Sequence, residues 1–438
     1  MANIKIDLNK RVGKIKPMHA GGQPPIIGGH TGYFHYITEM GAPYSRLHDV
    51  GGAFGDNHFV DVPRIFKNFD ADENDSASYD FTFTDVLVNG LVDAKVEPYF
   101  RLGISIENYA NIKTYHTLPP KDYEKWARIC EHIVAHYTEG WANGFNYKIT
   151  YWEIWNEPDN NFKKYSEELG CFVSEMWNGT PEEFYRLYDV AAKHLKARFP
   201  NIKVGGFGSC GFYYINASPE TLQKREKSYK FHVDFFIGFL EYIKAHNSPF
   251  DFFSWHSYSG TRKTLERVDW MYETLEKYGY GNVETHLNEW NTFHEEQGTA
   301  HHSAEVAAMM LGMQNTRTDI CCIYDMKMGC GGYMPLFDAN TRKPIHAYYS
   351  MVAFNQLYKL GTQVSLECDE QELYAVAATN GKKNAIVISN ITGEDQPLNI
   401  EGVDLTDARF SVIDQTRLLS WSPAVTTIKN NEVYLIEF

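Results

Sequence analysis

The nine residues Tyr-Trp-Glu-Ile-Trp-Asn-Glu-Pro-Asp (151–159) indicate both a fold class and a functional site. They continue a β-branched and aromatic run from Lys148, which is typical of a strand buried on both faces. Pro158 cannot continue a strand ladder, so the strand is predicted to open into a loop just before it. Asn156 and Glu157 then lie at the strand's mouth, where partial burial makes a carboxyl hold its proton more tightly. General acids are built in this way, although a paired core carboxylate would fit an isolated Asn-Glu equally well.

Eight strand-like runs alternate with helical patterns along most of the chain. The predicted strands are Ile15–His19, Tyr44–His48, Val96–Leu102, Ile149–Trp155, Ile202–Phe207, Phe250–His256, Val283–Asn288 and Ile320–Met326. The helical patterns between them include Thr82–Ala94, Tyr123–Tyr137, Pro181–Arg198, Val233–His246, Leu265–Tyr278 and Ala304–Thr316. Eight such units predict an α/β fold, a closed (β/α)₈ TIM barrel rather than an open doubly wound sheet. In that fold the reactive side chains gather at the C-terminal ends of the strands.

The C-terminal region has a different texture, with period-two alternation between turn signals. Strands are predicted at Glu372–Thr379, Asn384–Ser389, Phe410–Asp414, Val425–Lys429 and Glu432–Phe438. This pattern predicts an accessory antiparallel β-sandwich, completed by the N-terminal strand. The expected division is a catalytic barrel over 15–358 and an accessory domain made of 1–14 and 359–438.

Composition excludes several classes of partner. The chain of 438 residues has 41 basic and 56 acidic residues, a net charge of −15, whereas nucleic acids and anionic membranes favour a basic face. The seven cysteines show no Cys-x-x-Cys spacing, which favours buried free thiols over a disulfide framework. The N-terminus lacks an apolar signal core, so the protein is expected to be cytoplasmic as the sequence stands. If a signal peptide has been removed from the sequence, the expected location is periplasmic or secreted. A homo-oligomer is compatible with the sequence.

A second strand end carries the complementary carboxylate. Val283–Asn291 reads Val-Glu-Thr-His-Leu-Asn-Glu-Trp-Asn, and it presents Glu289 three strands after Glu157. Two carboxyls on different strands of one barrel can converge across its mouth, and a protonated and ionised pair is suited to breaking a glycosidic bond. We expect Glu157 to be the general acid/base and Glu289 the nucleophile. Their carboxyl groups should then lie about 5–5.5 Å apart, and the reaction should retain configuration.

These stretches resemble a known family. The Asn-Glu-Pro run at 151–159 and Asn-Glu-Trp-Asn at 288–291 are similar to clan A of the glycoside hydrolases. Arg46–Val50 (Arg-Leu-His-Asp-Val) and Trp255–Tyr258 (Trp-His-Ser-Tyr) narrow the resemblance to glycoside hydrolase family 39, which includes β-xylosidases and α-L-iduronidases. The resemblance covers the barrel and is compatible with a terminal β-sandwich. It implies a retaining O-glycosidase without a cofactor or metal.

The resemblance also implies roles for residues around the carboxylates. Asn156 is expected to bond the sugar 2-hydroxyl in the −1 subsite, and Arg46 to pair with Glu289 and keep it ionised. His256 and Tyr258 are expected to line the same subsite, although a core tyrosine is the alternative at 258. For His48 two interpretations are equally open, a contact with the sugar and a structural hydrogen bond. The predicted substrate-binding set is Arg46, His48, Asn156, His256, Tyr258, Tyr333 and Phe337.

The loop after the eighth strand departs from the xylosidase pattern. The segment 326–338 contains no Trp, a single acid at Asp338, and Lys327, which would suit a sugar carboxylate but is more commonly just exposed. The prediction is therefore an exo-acting β-xylosidase-like hydrolase of plant or host glycans, with exo against endo cutting undecided. A β-galactoside, β-glucoside, α-L-arabinoside or uronide is the alternative substrate. A catalytically silent sugar-binding barrel is the alternative of another class.

Two motifs point elsewhere at first sight. Gly206–Gly211 matches Gly-x-Gly-x-x-Gly, but Phe212–Asn216 does not open a helix as a dinucleotide site requires. His294, His301 and His302 suggest metal ligands, yet they lack His-Glu-x-x-His spacing. Both are interpreted as loop features.

Overall fold

The barrel prediction is confirmed. A computed structural model of the protein describes residues 1–25, 33–50, 58–105, 117–160, 164–167, 171–173, 176–328, 333 and 335–438. Its first eleven strands are β1 (Ala2–Lys14), β2 (Ala20–Gly22), β3 (Tyr44–Leu47), β4 (Glu97–Leu102), β5 (Tyr151–Ile154), β6 (Lys164–Ser166), β7 (Cys171–Val173), β8 (Lys203–Ser209), β9 (Phe252–Ser257), β10 (Glu284–Trp290) and β11 (Ile320–Ile323). The parallel strands β2, β3, β4, β5, β8, β9, β10 and β11 form a closed barrel, which is completed where Cys322 pairs with Ala20. The strands β6 and β7 make a separate hairpin in the loop after β5.

Helices surround the barrel at most of the predicted places. They are α1 (Phe34–Met40), α2 (Val62–Ile65), α3 (Thr82–Asp93), α4 (Tyr123–Glu139), α5 (Pro181–Arg198), α6 (Pro219–His246), α7 (Thr261–Tyr278), α8 (Ala300–Gln314) and α9 (His346–Leu360). The helix α5 starts where predicted because Thr180 and Glu183 form a reciprocal capping box ahead of Pro181. The helix α6 starts earlier than predicted, after Ser218, because its first turns are polar and show no apolar periodicity.

The first barrel strand lies later than predicted. The structure places it at Ala20–Gly22 instead of Ile15–His19. Pro17 has no N–H for a ladder, and the strand consists of small residues that periodicity does not detect. Gly21 lets the Met326 side chain approach closely, since a Cβ at this position would lie 2.6 Å from it and Met326 would have to move.

The accessory part is a large β structure that includes the N-terminal strand. Its C-terminal strands are β12 (Thr362–Cys368), β13 (Leu373–Thr379), β14 (Asn384–Asn390), β15 (Gln396–Glu401), β16 (Arg409–Ile413), β17 (Ser420–Ser422), β18 (Thr427–Ile428) and β19 (Val433–Glu437). With β1 they form one nine-stranded sheet in the order β17-β16-β19-β14-β13-β12-β1-β15-β18, in which β1 and β15 are parallel. The predicted accessory β structure is thus confirmed as one large sheet, and strands from across it share one apolar cluster.

The two faces of this sheet bury different cores. Ile386 and Ile388 of β14 belong to an apolar cluster of the accessory sheet itself. Val387 between them belongs to the barrel core, and Ser389 donates a hydrogen bond of 2.7 Å to the carbonyl of Ala304 in α8. Because side chains alternate between the two faces of the strand, Val387 and Ser389 contact the barrel while Ile386 and Ile388 fill the core of the sheet. Among the described residues, no helix combines the length and apolar composition needed to cross a bilayer.

Candidate active site

Two strand ends bring the predicted carboxylates to the same end of the barrel. Glu289 lies near the C-terminal end of β10, in register with His256 of β9. Glu157 follows β5, and its N–H donates to the carbonyl of Gly208 in β8 at 2.9 Å. Trp155 and Glu157 both have positive φ, 72° and 44°. This strained backbone turns the chain out of the strand and re-aims the glutamate.

The glycine-rich strand end at β8 allows a close approach of side chains. A Cβ on Gly208 would lie 3.1 Å from Asn156 Oδ1 and from His256 Nε2, and 3.2 Å from Arg46 Nη2. Its φ is +62°, a conformation that also favours glycine. The strand continues to Ser209 and is followed by a short 3₁₀ turn, so no helix opens as a dinucleotide site would need. These glycines make room for the site.

One imidazole nitrogen lies between the two carboxylates. Nδ1 of His256 is 2.7 Å from Oε1 of Glu157 and 3.0 Å from Oε2 of Glu289. The nitrogen and the two carboxylate oxygens all lie within 4.8 Å of one another, and both glutamates are buried, with 8% and 6% of their surface exposed. This proximity is compatible with the separation of about 5–5.5 Å between the carboxyl groups of retaining glycosidases.

Glu289 has two further donors of unequal quality. The Tyr258 hydroxyl donates to its Oε1 at 2.8 Å, a short charge-assisted bond. Arg46 Nη1 donates to its Oε2 at 3.4 Å, which is long for such a bond. Arg46 is held more closely by Glu153, with Nε to Oε2 at 2.7 Å. The arginine thus neutralises Glu153 first and supports Glu289 from a distance.

Glu153 forms the floor of the site. It is fully buried and accepts hydrogen bonds from Arg46, from Ser254 Oγ at 2.6 Å and from Asn288 Nδ2 at 2.7 Å. Its partners come from β3, β9 and β10, so the network ties those strands to β5. A buried carboxylate with this many donors is satisfied and stays in place.

The electrostatics divide the two catalytic candidates. Burial raises the pKa of Glu289 to about 7; the charge of Glu157 adds to this, while His256 and Arg46 oppose it. Burial also acts on Glu157, but hydrogen bonds from His256 and Asn160 outweigh it and lower the pKa of Glu157. Burial disfavours a charged His256, yet attraction to Glu289 and the bond to Glu157 raise the pKa of His256. In this arrangement the carboxylate charge is better stabilised on Glu157 than on Glu289.

Asn156 and His48 have polar atoms left over. The Oδ1 atom of Asn156 accepts from Arg46 Nη2 at 2.5 Å, whereas its buried Nδ2 has no hydrogen-bond partner among the described residues. Nε2 of His48 lies 3.3 Å from Asp49 Oδ1, and its buried Nδ1 finds no partner in the same part of the chain. Burial holds the pKa of His48 well below its usual value, so the ring is neutral. Unpaired buried polar atoms are costly, and a bound sugar hydroxyl would satisfy them.

Three tyrosines form one wall beside Glu289. The rings of Tyr258 and Tyr333 are 5.2 Å apart, and Tyr324 lies 6.2 Å and 5.9 Å from them. Tyr333 is 43% exposed, so it reaches solvent at the rim of this cluster. Phe337, by contrast, is buried and packs against Tyr36 and Tyr348 in the barrel core.

The structure adds acids near the eighth strand that sequence reasoning did not select. Asp325 is 3% exposed and follows β11 by two residues, and Asp49 accepts a hydrogen bond of 2.8 Å from Tyr324. Burial, with repulsion from Asp49 and Glu289, raises the pKa of Asp325 well above its usual value. The predicted strand ran to Met326 and so hid Asp325, although the strand-end rule would have found it at the correct boundary.

Asp338, the one acid in the segment 326–338, belongs to a turn. Asp338 accepts hydrogen bonds from the backbone N–H groups of Asn340 and Thr341, which makes it a turn residue. Lys327 is half-buried and its N–H donates to Asp325 Oδ1 at 2.9 Å. The rest of the predicted loop, 329–332 and 334, lies outside the described residues.

Glu157, His256 and Glu289 also have the spacing of a three-ligand metal site. However, Nδ1 of His256 is hydrogen-bonded to Glu157 and lies 3.0 Å from Glu289, so it faces the carboxylates as a donor and does not offer a lone pair to a shared centre. We therefore interpret the cluster as three groups that exchange protons. The absence of a metal stays a prediction.

Comparison with known proteins shows the family to which the chain is similar. The family model "Glycosyl hydrolases family 39" matches residues 57–359, more than half of the chain. A β-xylosidase of Caldicellulosiruptor saccharolyticus is 24% identical over 405 residues, which cover 83% of this chain and 72% of that protein. A β-xylosidase of Geobacillus stearothermophilus is 24% identical over 220 residues, covering 48% of this chain and 37% of that protein.

Solved structures share the fold over the whole chain. A glucosidase from Croceicoccus marinus has a TM-score of 0.76 at 19% identity, covering 100% of this chain and 98% of that one. A family 39 β-xylosidase from Caulobacter crescentus has a TM-score of 0.67 at 17% identity, covering 100% and 99%. The barrel and the accessory sheet thus recur together.

Proposed function

The chain belongs to glycosyl hydrolase family 39, and from that premise we propose an exo-acting, β-xylosidase-like hydrolase with Glu157 as acid/base and Glu289 as nucleophile. One observation carries the assignment of these two residues. Oxygen atoms of Glu157 and Glu289 both lie within 3.0 Å of the same His256 nitrogen, so the two carboxyls meet at one point, as two groups that act on one anomeric centre must. Arg46, His48, Asn156, His256, Tyr258 and Tyr333 are proposed to bind the sugar around it.

The proposed reaction has two displacements. In the first, a Glu289 oxygen forms a bond to the anomeric carbon while the glycosidic C–O bond breaks and Glu157 gives its proton to the leaving oxygen. In the second, Glu157 takes a proton from water, the water oxygen bonds to the anomeric carbon, and Glu289 leaves as a carboxylate. Two inversions give net retention.

The first step needs the proton on Glu157 and the charge on Glu289, whereas the local electrostatics favour the reverse. We propose that His256 connects the two states, because its Nδ1 lies within hydrogen-bond distance of both carboxylates. The Tyr258 hydroxyl and the Arg46 guanidinium then stabilise Glu289 once its proton has left.

The sugar is proposed from the relatives. Both named sequence relatives are β-xylosidases, which supports xylose in the −1 subsite. The buried acids Asp49 and Asp325 lie near Glu289, where they could accept or donate hydrogen bonds to ring hydroxyls. A β-glucoside, β-galactoside, α-L-arabinoside or uronide would use the same chemistry. The catalytic unit is proposed to be 15–358, and 1–14 with 359–438 the accessory domain.

A panel of aryl glycosides, with NMR of the first-formed anomer, tests both the sugar and the mechanism. We expect the β-xyloside to be cleaved fastest and the β-anomer of xylose to appear first. A first product of inverted configuration would refute the double displacement whatever the sugar. No hydrolysis of any member would favour the alternative of a silent sugar-binding barrel.

Glu157→Ala tests the role of the acid/base. The variant should lose about 10²–10⁴-fold in the steps that need proton transfer. Added azide needs no base, so it should restore turnover and give a glycosyl azide of retained configuration. Full activity without azide would show that another group is the acid/base.

A further inference from the structure

Both oxygens of the Glu157 carboxyl have a hydrogen-bond donor of their own. His256 Nδ1 contacts Oε1 at 2.7 Å, and Asn160 Nδ2 donates to Oε2 at 2.9 Å. Asn160 is only 9% exposed, and its backbone N–H also donates to the Glu157 carbonyl at 3.0 Å. A carboxyl held in this way has little rotational freedom and a strong preference for its charged form.

The loop that carries Asn160 is anchored to the next strand. Asp159 accepts hydrogen bonds from Ser209 Oγ at 2.6 Å and from the Cys210 N–H at 3.1 Å. Together with the bond from the Glu157 N–H to Gly208, these contacts fix the loop against the end of β8. The Asn160 amide is therefore presented by a held backbone.

Asn160 differs from His256 in its selectivity. His256 contacts Glu157 and Glu289 alike, so a change there disturbs both carboxylates. The side-chain bond of Asn160 goes to Glu157. Asn160 is thus a position at which Glu157 can be perturbed while the donors of Glu289 stay in place.

Several other ionisable groups act on Glu157 from the elements around it. They are His256, Glu289, Asp159, Cys210, His232 and Tyr213. Tyr258 and Tyr333 interact with it more weakly from the tyrosine wall. Most of these groups are uncharged or acidic, and among them His256 and the Cys210 thiol also donate hydrogen bonds to Glu157. The thiol is a weak donor, so the Asn160 amide is the stronger of the two uncharged donors.

We propose that Asn160 is a positioning residue for Glu157: its amide fixes one carboxyl oxygen and favours the carboxylate, the form that acts as base in the second displacement. The inference rests on the proposed role of Glu157. Its consequence is a division of labour between two donors. Asn160 supports the base, while His256, in contact with both glutamates, lets the proton return for the acid step.

The test compares Asn160→Leu and Asn160→Asp with the parent enzyme across pH. Leu has a similar volume but no donor, so the pKa of Glu157 should rise by about one pH unit. With an aryl glycoside of poor leaving group, the basic limb of kcat/KM should move up by that amount. With a good leaving group the acid limb of kcat should move up as well, since the second step needs ionised Glu157. Asn160→Asp should shift both limbs further in the same direction because it adds a like charge.

Asn399→Leu is the matched control, because the Asn399 amide also donates to a glutamate, Glu401, at 2.9 Å, but on the accessory sheet. Its pH profile should equal that of the parent. A ¹³C-carboxyl NMR titration, with the Glu157 signal assigned by Glu157→Gln, reads the same pKa without any substrate. An inactive parent would therefore overturn the proposed function, whereas an unshifted Glu157 titration in Asn160→Leu and Asn160→Asp would overturn this inference. A rate loss with both pH limbs unmoved would likewise reduce Asn160 to a structural residue.

Discussion

The strand β10 carries a glutamate at each end, and the two are treated in opposite ways. Glu284, at the N-terminal end, forms an ion pair with Lys203, accepts from the Tyr151 hydroxyl at 2.9 Å and lies 3.6 Å from His286. Burial alone would raise its pKa, but the His286 and Lys203 contacts win and lower the pKa of Glu284 to about 2. Glu289, at the C-terminal end, has a pKa raised to about 7.

The difference lies in how donors are shared. Glu284 has a lysine that serves it directly. Glu289 shares His256 with Glu157, shares Arg46 with Glu153, and faces a second carboxylate. A carboxylate with its own cation contributes to stability, whereas one that competes for its donors is ready to change its protonation or its bonding. We therefore expect the same residue type on one strand to stabilise the fold at one end and, at the other, to act in the proposed reaction.

The sharpest test of this contrast replaces each glutamate with glutamine. Glu289→Gln should lose about 10⁴-fold or more in kcat, because an amide oxygen is a poor nucleophile toward the anomeric carbon. Glu284→Gln should keep its activity within a few-fold. Steady-state kinetics on the best aryl glycoside measures both. Comparable losses in the two variants would mean that the ends of β10 are not functionally distinct.

The two tyrosines that bond these glutamates give a second matched pair. Tyr258→Phe removes a 2.8 Å donor from Glu289, and Tyr151→Phe removes a 2.9 Å donor from Glu284. A hydrogen bond to a charged group contributes about 1.5–3 kcal/mol, so kcat should fall about 10- to 100-fold in Tyr258→Phe. Tyr151→Phe should leave kcat unchanged. If Tyr258→Phe raised only KM, the hydroxyl would contact the sugar instead of supporting the nucleophile.

The sequence predicts where Glu289 lies on β10 better than it predicts the protonation of Glu289. Asn288-Glu289-Trp290 stands out because a polar pair comes at the end of a predicted strand, and the barrel rule then places it at the mouth. The eight-fold alternation likewise predicts the barrel, since helix and strand periods are properties of the chain itself. The first barrel strand was predicted five residues too early because the glycines of Ala20–Gly22 give no periodic signal. The reason for Gly21 is its close contact with Met326, which is distant in sequence.

The protonation of the site could not be read from the chain. Arg46 was expected to keep Glu289 ionised, but Glu153 lies closer to the guanidinium, 2.7 Å against 3.4 Å. Which carboxylate takes the nearer position depends on side-chain packing across three strands. Asn160 escaped notice for the same reason, because an asparagine in a loop gains its role only from the oxygen it contacts.

Stability should respond to the other end of β10. Glu284→Gln removes the ion pair between Glu284 and Lys203. Because the Glu284 side chain is 29% exposed, we expect the free energy of unfolding to fall by about 1 kcal/mol at pH 7. The folded pKa of about 2 lies below the unfolded value of about 4.3. The stabilisation is therefore complete above pH 5 and is lost as pH falls toward 2. Urea unfolding of parent and variant at pH 7 and pH 3 should show the gap closing at the lower pH, and a constant gap would contradict the assigned pKa.

A smaller effect of opposite sign is expected from Asp159, two residues after Glu157, the proposed acid/base. Burial is the main cause that raises the pKa of Asp159 to about 7, although Ser209 and the Cys210 N–H oppose it. Its folded pKa lies above the unfolded value of about 3.9, so the native state binds the proton more tightly and loses stability as pH rises from about 4 to 7. Asp159→Asn removes that loss and keeps an acceptor for the Cys210 N–H, while Ser209 can turn to accept from the new amide. Urea unfolding should find the variant more stable by about 0.5–1 kcal/mol at pH 8 and equal to the parent at pH 4. The opposite result is a variant that loses stability relative to the parent between pH 4 and pH 8. Asp159 would then be a carboxylate that is well stabilised in its charged form, like Glu284. In that case Glu289 alone would differ from Glu284 in the way argued above.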